Sequence, residues 1–120
     1  VPILLHGPVG AFLVQQELGI EDLEILEAIR WHTTGFPGMS GVAQIVYLAD
    51  IIEPSRDFDG VEKLRILAQQ NLHTAVMAAI DCSIGYCLKR GLLIHPISIE
   101  ARNEMLGRIK TSSNYKEGCY

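Results

Sequence analysis

The stretch WHTTGFPGMSGVAQIVYLADIIEPSR, from Trp31 to Arg56, decides the fold and contains most of the candidate chemistry. Within it His32 closes one helical pattern, a loop rich in Gly and Pro reverses the chain, and Asp50 lies in the next helical pattern. We expect Asp50 to have little contact with water, because its neighbours are apolar: Ile45, Val46, Leu48, Ala49, Ile51 and Ile52. An unpaired carboxylate in such surroundings costs several kcal/mol. A metal ion shared with His32 and the isolated His6 would satisfy it.

Helical periodicity continues on both sides of this stretch. A first helix is predicted to begin near Pro8, just after His6, and a second to carry Leu23 and end at His32. Ser40 is the predicted N-cap of a helix over 41–52. Further helices are predicted over 61–70 and over 73–90, and Gly91 is predicted to end the second of these. A last helix is predicted over 98–110, with Ser98 as its cap. No segment alternates with the period of a strand, so the prediction is an all-α fold of five or six helices.

Composition and charge restrict the classes of function. The chain has 120 residues, 48% of them hydrophobic, which is enough for one domain with one core. A net charge of −4 argues against a nucleic-acid partner, and no apolar run is long enough to span a membrane. The three cysteines, Cys82, Cys87 and Cys119, form no CxxC pair, which predicts reduced thiols and a cytoplasmic protein.

The two ends differ from the rest. The chain begins with the apolar segment VPILL and without an initiator Met, so we expect further sequence before Val1. Residues 111–120 are polar and aperiodic and are predicted to form a disordered tail, leaving 1–110 as the folded part.

Each candidate residue has an ordinary structural alternative. His6 and His32 are metal-ligand candidates, but a single His at a helix end is more often a cap or a core residue. Asp50 could instead pair with Arg30 or Arg56. His73 and His95 are predicted to be a helix-start residue and a loop residue outside the site.

Two further positions are candidates for contact with substrate. Arg56 is placed to contact phosphate, or to pair with a nearby Asp, and Thr33 and Gly35 form a turn that a ligand could approach closely. The motifs HExxH, GxxxxGK[ST], GxGxxG and GxSxG are absent from the sequence, which gives no support to zincin, P-loop, dinucleotide-fold or serine-hydrolase chemistry.

Four motifs in order carry a family resemblance: LLHGPVGA at 4–11, AIRWHTTG at 28–35, MSG at 39–41 and IVYLADIIEPSRDFDGVEKLR at 45–65. They closely resemble the YqeK-type symmetrical bis(5'-nucleosyl)-tetraphosphatases, which are HD-domain phosphohydrolases. The resemblance runs from His6 to about Ala79. It implies an HD-type helical bundle, of which residues 1–110 would be the C-terminal part.

The resemblance also implies a divalent metal centre, commonly dinuclear and iron-containing, with manganese or cobalt as alternatives. His6, His32 and Asp50 match three of its ligands, Asp50 thereby taking part in catalysis, and Arg56 would hold a phosphate. The remaining ligands, a His and a His-Asp dyad, have no match, because no His here is followed by Asp. We expect them upstream of Val1, and we expect these 120 residues alone to be inactive.

The function implied by the resemblance is metal-dependent hydrolysis of diadenosine tetraphosphate to two ADP. The predicted partner is a dinucleoside polyphosphate, without nucleic acid or membrane, and a homodimer remains open. Two alternatives are kept: an HD-type phosphohydrolase acting on another nucleotide, and a non-catalytic helical binding module in which His32 and Asp50 only pair.

Overall fold

A computed structural model describes residues 4–112 of the chain, and for Ser112 it describes only the backbone. This part contains six α-helices and no strand: α1 His6–Leu18, α2 Leu23–Arg30, α3 Gly41–Ile52, α4 Val61–Gln70, α5 Leu72–Arg90 and α6 Pro96–Ser112. The predicted all-α class and helix number are confirmed. The predicted tail falls largely outside the described residues, apart from 111 and 112, which continue α6.

Several helix ends follow the predicted local chemistry. The Ser40 hydroxyl accepts a hydrogen bond from the Ala43 N–H at 3.1 Å and caps α3. Gly91 ends α5 in the left-handed conformation, with φ 64°, and its N–H donates to the carbonyls at the end of that helix.

Three predicted helix starts were wrong. His6 is the first residue of α1 rather than the residue before it. Helix α5 begins at Leu72, because the Asn71 side chain accepts from the Thr74 N–H at 3.0 Å. Helix α6 begins at Pro96, which needs no N–H partner in a first turn.

The core lies between α3, α4, α5 and α6, with α5 in contact with the other three. On α5 the small residues Ala75 and Ala79 are fully buried, so neighbouring helices pack closely on this helix. The largest buried side chains complete the core: Tyr47, Met39, Leu64, Ile80, Met105, Gln44 and Val76.

Helices α1 and α2 form a hairpin whose close packing depends on one glycine. A Cβ placed on Gly7 would lie 2.3 Å from the carbonyl oxygen of Arg30, so only glycine allows this approach. At Gly10 a Cβ would make an ordinary contact, 3.5 Å from Ile29. The hairpin therefore brings the start of α1, with His6, against the end of α2. None of the described helices is long and apolar enough to cross a membrane.

Candidate metal site

The imidazoles of His6 and His32 meet at the junction of α1 and α2. Their Nε2 atoms are 3.0 Å apart, and the rings contact edge to face with centroids 4.8 Å apart. His6 is exposed and His32 is half-buried, so the pair is accessible from solvent. Since 26 residues separate the two, only the hairpin brings them together.

The orientation of His32 is set by the helix that precedes it. Its Nδ1 lies 2.7 Å from the carbonyl oxygen of Ile29 and must donate, because a carbonyl can only accept. In the neutral ring this leaves the Nε2 lone pair directed at His6. A backbone carbonyl that fixes one imidazole nitrogen while the other is presented is the usual arrangement of a metal-binding His.

The spacing of the pair suits two ligands of one metal ion. Imidazole nitrogens bound at about 2.1 Å and about 90° to each other lie about 3.0 Å apart. The observed Nε2–Nε2 distance is 3.0 Å. Without a metal the same distance is a hydrogen bond, with His6 as the donor to His32. The separation of the two nitrogens therefore matches a shared divalent ion, and binding one requires His6 to move its Nε2 proton to Nδ1 and the His32 lone pair to turn away from His6.

Asp50 does not lie in the dry surroundings that the sequence predicts. Its side chain is 44% exposed, and the nearest charged partner is Arg56, whose Nη2 is 3.4 Å from Oδ1. The expectation of a buried carboxylate was wrong because the apolar residues beside Asp50 do not all face the core: Ile45 is 57% exposed. Among residues 4–112 no group of three or more His, Cys, Asp or Glu side chains is placed to hold a metal ion. The structure thus pairs His6 with His32 and leaves Asp50 apart from them.

Arg56 folds back on the last turn of α3. Besides the contact with the Asp50 carboxylate, its Nε donates to the Asp50 carbonyl at 3.1 Å and lies 3.7 Å from the Glu53 carboxylate. The pKa of Glu53 is lowered, chiefly by hydrogen bonds from the Ser55 hydroxyl and N–H, with Arg56 adding to the effect. The Arg56 side chain is 48% exposed, so a ligand can reach it from solvent.

A cavity of about 630 Å³ opens beside Arg56, between the end of α3 and helix α5. It is lined by apolar and polar side chains together, including Phe58, Tyr86 and Lys89. Cys82 also lines it, and burial raises the pKa of that thiol. A volume of this order lies within the range of small-molecule binding sites.

The other two predicted substrate residues have unequal surroundings. Thr33 is half-buried and lines a smaller cavity of about 210 Å³, next to Trp31 and His95. Gly35 is buried, with φ 71°, and its Cα faces Met39 and Ala101 of the core. Gly35 therefore serves the turn itself, because a side chain there would be strained.

Three further residues make specific hydrogen bonds: His95 lies in a loop, as predicted, whereas His73 and Ser98 have roles other than the predicted ones. His73 donates from Nδ1 to the Gln44 Oε1 at 2.7 Å rather than capping α5 or facing solvent. The Nδ1 atom of His95 accepts from the Ile97 N–H at 3.1 Å and caps α6, whereas Ser98, the predicted cap, donates to the Thr34 carbonyl. The partners of His73 and Ser98 lie on another helix or turn, so helical spacing alone could not indicate these two roles, whereas the partner of His95 is two residues along the chain.

Known proteins resemble the chain strongly over most of its length. It is 46% identical over 103 residues to a protein of Halalkalibacterium halodurans named symmetrical bis(5'-nucleosyl)-tetraphosphatase, covering 86% of this chain and 55% of that protein. A Bacillus subtilis protein of the same name is 44% identical over 95 residues, covering 79% and 51%. The predicted resemblance to this family is confirmed.

The solved structures agree with the sequence comparison. The fold matches that of a predicted HD superfamily hydrolase involved in NAD metabolism from Clostridium acetobutylicum, with a TM-score of 0.81 and 42% identity over 86% of this chain and 55% of that one. An HD-superfamily fold is thereby shown. No protein-family model matches the chain. The chain spans about half the length of the tetraphosphatases that it matches.

Proposed function

We propose that the protein hydrolyses diadenosine tetraphosphate symmetrically to two ADP in a metal-dependent reaction. The observation that carries the proposal is the His6–His32 pair, with Nε2 atoms 3.0 Å apart and His32 held by a backbone carbonyl. The names of the two tetraphosphatase relatives support the substrate class. The fold supports hydrolase chemistry of the HD type.

In this proposal His6 and His32 hold a divalent metal through Nε2. The metal is proposed to be part of a dinuclear iron centre, with manganese or cobalt as the alternatives. Bound divalent ions supply Lewis acidity, which lowers the pKa of water and neutralises charge on a phosphoryl group. The chain's own contribution is orientation, since the Ile29 carbonyl keeps His32 in the tautomer that presents Nε2.

Asp50 is proposed as a third ligand, and this role requires it to leave Arg56. The two side chains are 44% and 48% exposed, and an ion pair of such exposure is worth only about 0–1 kcal/mol. Breaking this ion pair would therefore cost little, but the carboxylate must also move towards the His pair to share a metal with it. The Nη2 atom of Arg56 would then be released for a phosphate, while its Nε keeps the Asp50 carbonyl.

Arg56 is proposed to bind a phosphate of the substrate, because its planar fork matches phosphate oxygens. The adjoining cavity, with Lys89 and Tyr86 in its lining, has room for part of a nucleotide. Thr33 is proposed to contact the substrate from the smaller cavity, which it lines together with Trp31 and His95. Gly35 is proposed to act only by shaping that turn.

The experiment has two arms on the full-length protein. The first incubates it with diadenosine tetraphosphate and Fe²⁺, Mn²⁺ or Co²⁺ and separates the products. ADP alone is expected, whereas ATP with AMP would contradict symmetrical cleavage, and turnover only of another nucleotide would favour the alternative HD-type activity.

The second arm measures bound metal. His32→Gln and His6→Gln should each lower the metal content, while His95→Asn, which keeps a helix cap, should not. Wild-type protein without stoichiometric metal would favour the non-catalytic binding module.

A cytoplasmic location and a homodimer are also proposed. The described thiols, Cys82 and Cys87, are free.

A further inference from the structure

Arg65 on α4 binds the segment that joins Asp50 to Arg56. Its Nε donates to the Ile52 carbonyl at 3.1 Å, and its Nη2 donates to the Glu53 carbonyl at 2.9 Å and the Arg56 carbonyl at 3.0 Å. Its Nη1 pairs with Glu62 on its own helix. One guanidinium thus spans the last residue of α3 and both ends of the turn after it.

The Ile52 carbonyl at the end of α3 needs a donor from outside the helix. The last carbonyls of a helix have no partner within it, and a cation stabilises that negative end. Helix α3 has no basic residue in its last turn, so Arg65 supplies the charge from 13 residues further along the chain. The Arg65 side chain is only 25% exposed, which makes its bonds less screened than those of Arg56.

The turn carries Arg56 at its end. The Arg56 N–H donates to the Glu53 carbonyl at 2.9 Å, and the Arg56 carbonyl is held by Arg65. The backbone of Arg56 is therefore fixed on both sides while its side chain stays half-exposed. Such an arrangement restricts where an otherwise flexible side chain can reach.

We propose that Arg65 is a positioning residue, which holds the 53–56 turn so that Arg56 meets the substrate phosphate beside Asp50. This inference rests on the proposed function, because it gives Arg56 the phosphate-binding role. Arg65 itself touches no substrate in this scheme. Its effect on turnover must therefore pass through Arg56.

A double-mutant cycle on the full-length protein tests this. Arg65→Met should lower kcat/KM for diadenosine tetraphosphate about tenfold, mainly through KM, and Arg65→Lys should recover part of the loss. In an Arg56→Ala background, Arg65→Met should change kcat/KM less than twofold. Arg102→Met, which removes a single exposed ion pair with Asp81, is the matched control and should have no effect.

Equal losses in both backgrounds would overturn the inference and assign Arg65 to general stability, which the thermal midpoint of each variant reports separately. Absence of ADP release by the wild type would instead refute the proposed function. Hydrogen exchange tests the positioning step in either case: the Arg56 amide should exchange faster in Arg65→Met than in Arg102→Met. Unchanged exchange at Arg56 would overturn the inference.

Discussion

At the scale of single residues, Arg56 and Asp50 form an exposed ion pair that contributes little to the free energy of unfolding. Their contact of 3.4 Å is long for a charge-assisted hydrogen bond, and both side chains are close to half-exposed. The pair contributes little to folding and is easily exchanged for other partners. Its importance is therefore expected in substrate binding rather than in stability.

Arg56→Ala should raise KM for diadenosine tetraphosphate and lower kcat/KM about 10- to 100-fold, as expected for losing one hydrogen bond to a charged group. Steady-state kinetics of the full-length protein provide the measurement. Arg102→Ala serves as the control, because Arg102 pairs with Asp81 at the surface between α5 and α6. If Arg56→Ala has the same kinetics as the wild type, Arg56 does not bind substrate and only forms its ion pairs with Asp50 and Glu53.

Tyr47 gives a prediction about alkaline pH. Burial raises its pKa to about 12, against an ordinary value of 10.0, and its side chain is 1% exposed. The folded protein holds this proton more tightly than the unfolded chain, so stability falls as pH rises from 10 to 12. A raise of two units corresponds to about 2–3 kcal/mol.

Tyr47→Phe should therefore lose less stability than the wild type between pH 9 and pH 12, as measured by urea unfolding. Tyr86→Phe is the control, because Tyr86 is 53% exposed. Parallel stability curves for wild type and Tyr47→Phe would show that the pKa of Tyr47 is the same in the folded and unfolded chains.

At the scale of elements, the α1–α2 hairpin is the feature on which the His pair depends. The backbone of α1 touches that of α2 at Gly7, one residue after His6. Any side chain at this position must separate the helices, and the two imidazoles would move apart with them. Stability and metal binding should consequently change together.

Gly7→Ala should destabilise the protein by about 1–3 kcal/mol, the usual range for forcing a side chain into a packed contact. It should also weaken Mn²⁺ binding, measured by calorimetry. Gly10→Ala is the matched control on the same helix. Its Cβ makes an ordinary contact at 3.5 Å, and alanine stabilises the helix by about 0.5–1 kcal/mol relative to glycine. Equal metal affinity in both variants would mean that the hairpin contact does not set the His pair.

At the scale of the whole molecule, many large apolar side chains of the described helices remain exposed. On α1 these include Val9 and Phe12, at 52% and 59% exposure, and on α3 Val42 and Ile45, at 42% and 57%. Exposed apolar surface of this kind favours association. The chain also contains no His-Asp pair to complete the ligand set that the resemblance implies.

Residues 1–120 produced alone should therefore release no ADP from diadenosine tetraphosphate and should self-associate on size-exclusion chromatography. The physical reason is that two-metal chemistry needs both ions held by a complete ligand set. Assays with Fe²⁺ and Mn²⁺ at equal protein concentration, with the full-length protein beside them, make the comparison. Turnover close to that of the full-length protein would refute the assigned ligand set.

The sequence by itself determined the helical class, most helix limits and the resemblance to the symmetrical tetraphosphatases. Periodicity and capping are local properties, so Ser40 and Gly91 were identified from their neighbours in the chain. Tertiary structure alone decided the surroundings of Asp50 and the role of Arg65. An apolar run does not tell which of its residues face the core, and Arg65 binds carbonyls that lie 9 to 13 residues away. Such contacts depend on how α3 and α4 pack, because backbone carbonyls are the same in every sequence and leave no residue pattern to read.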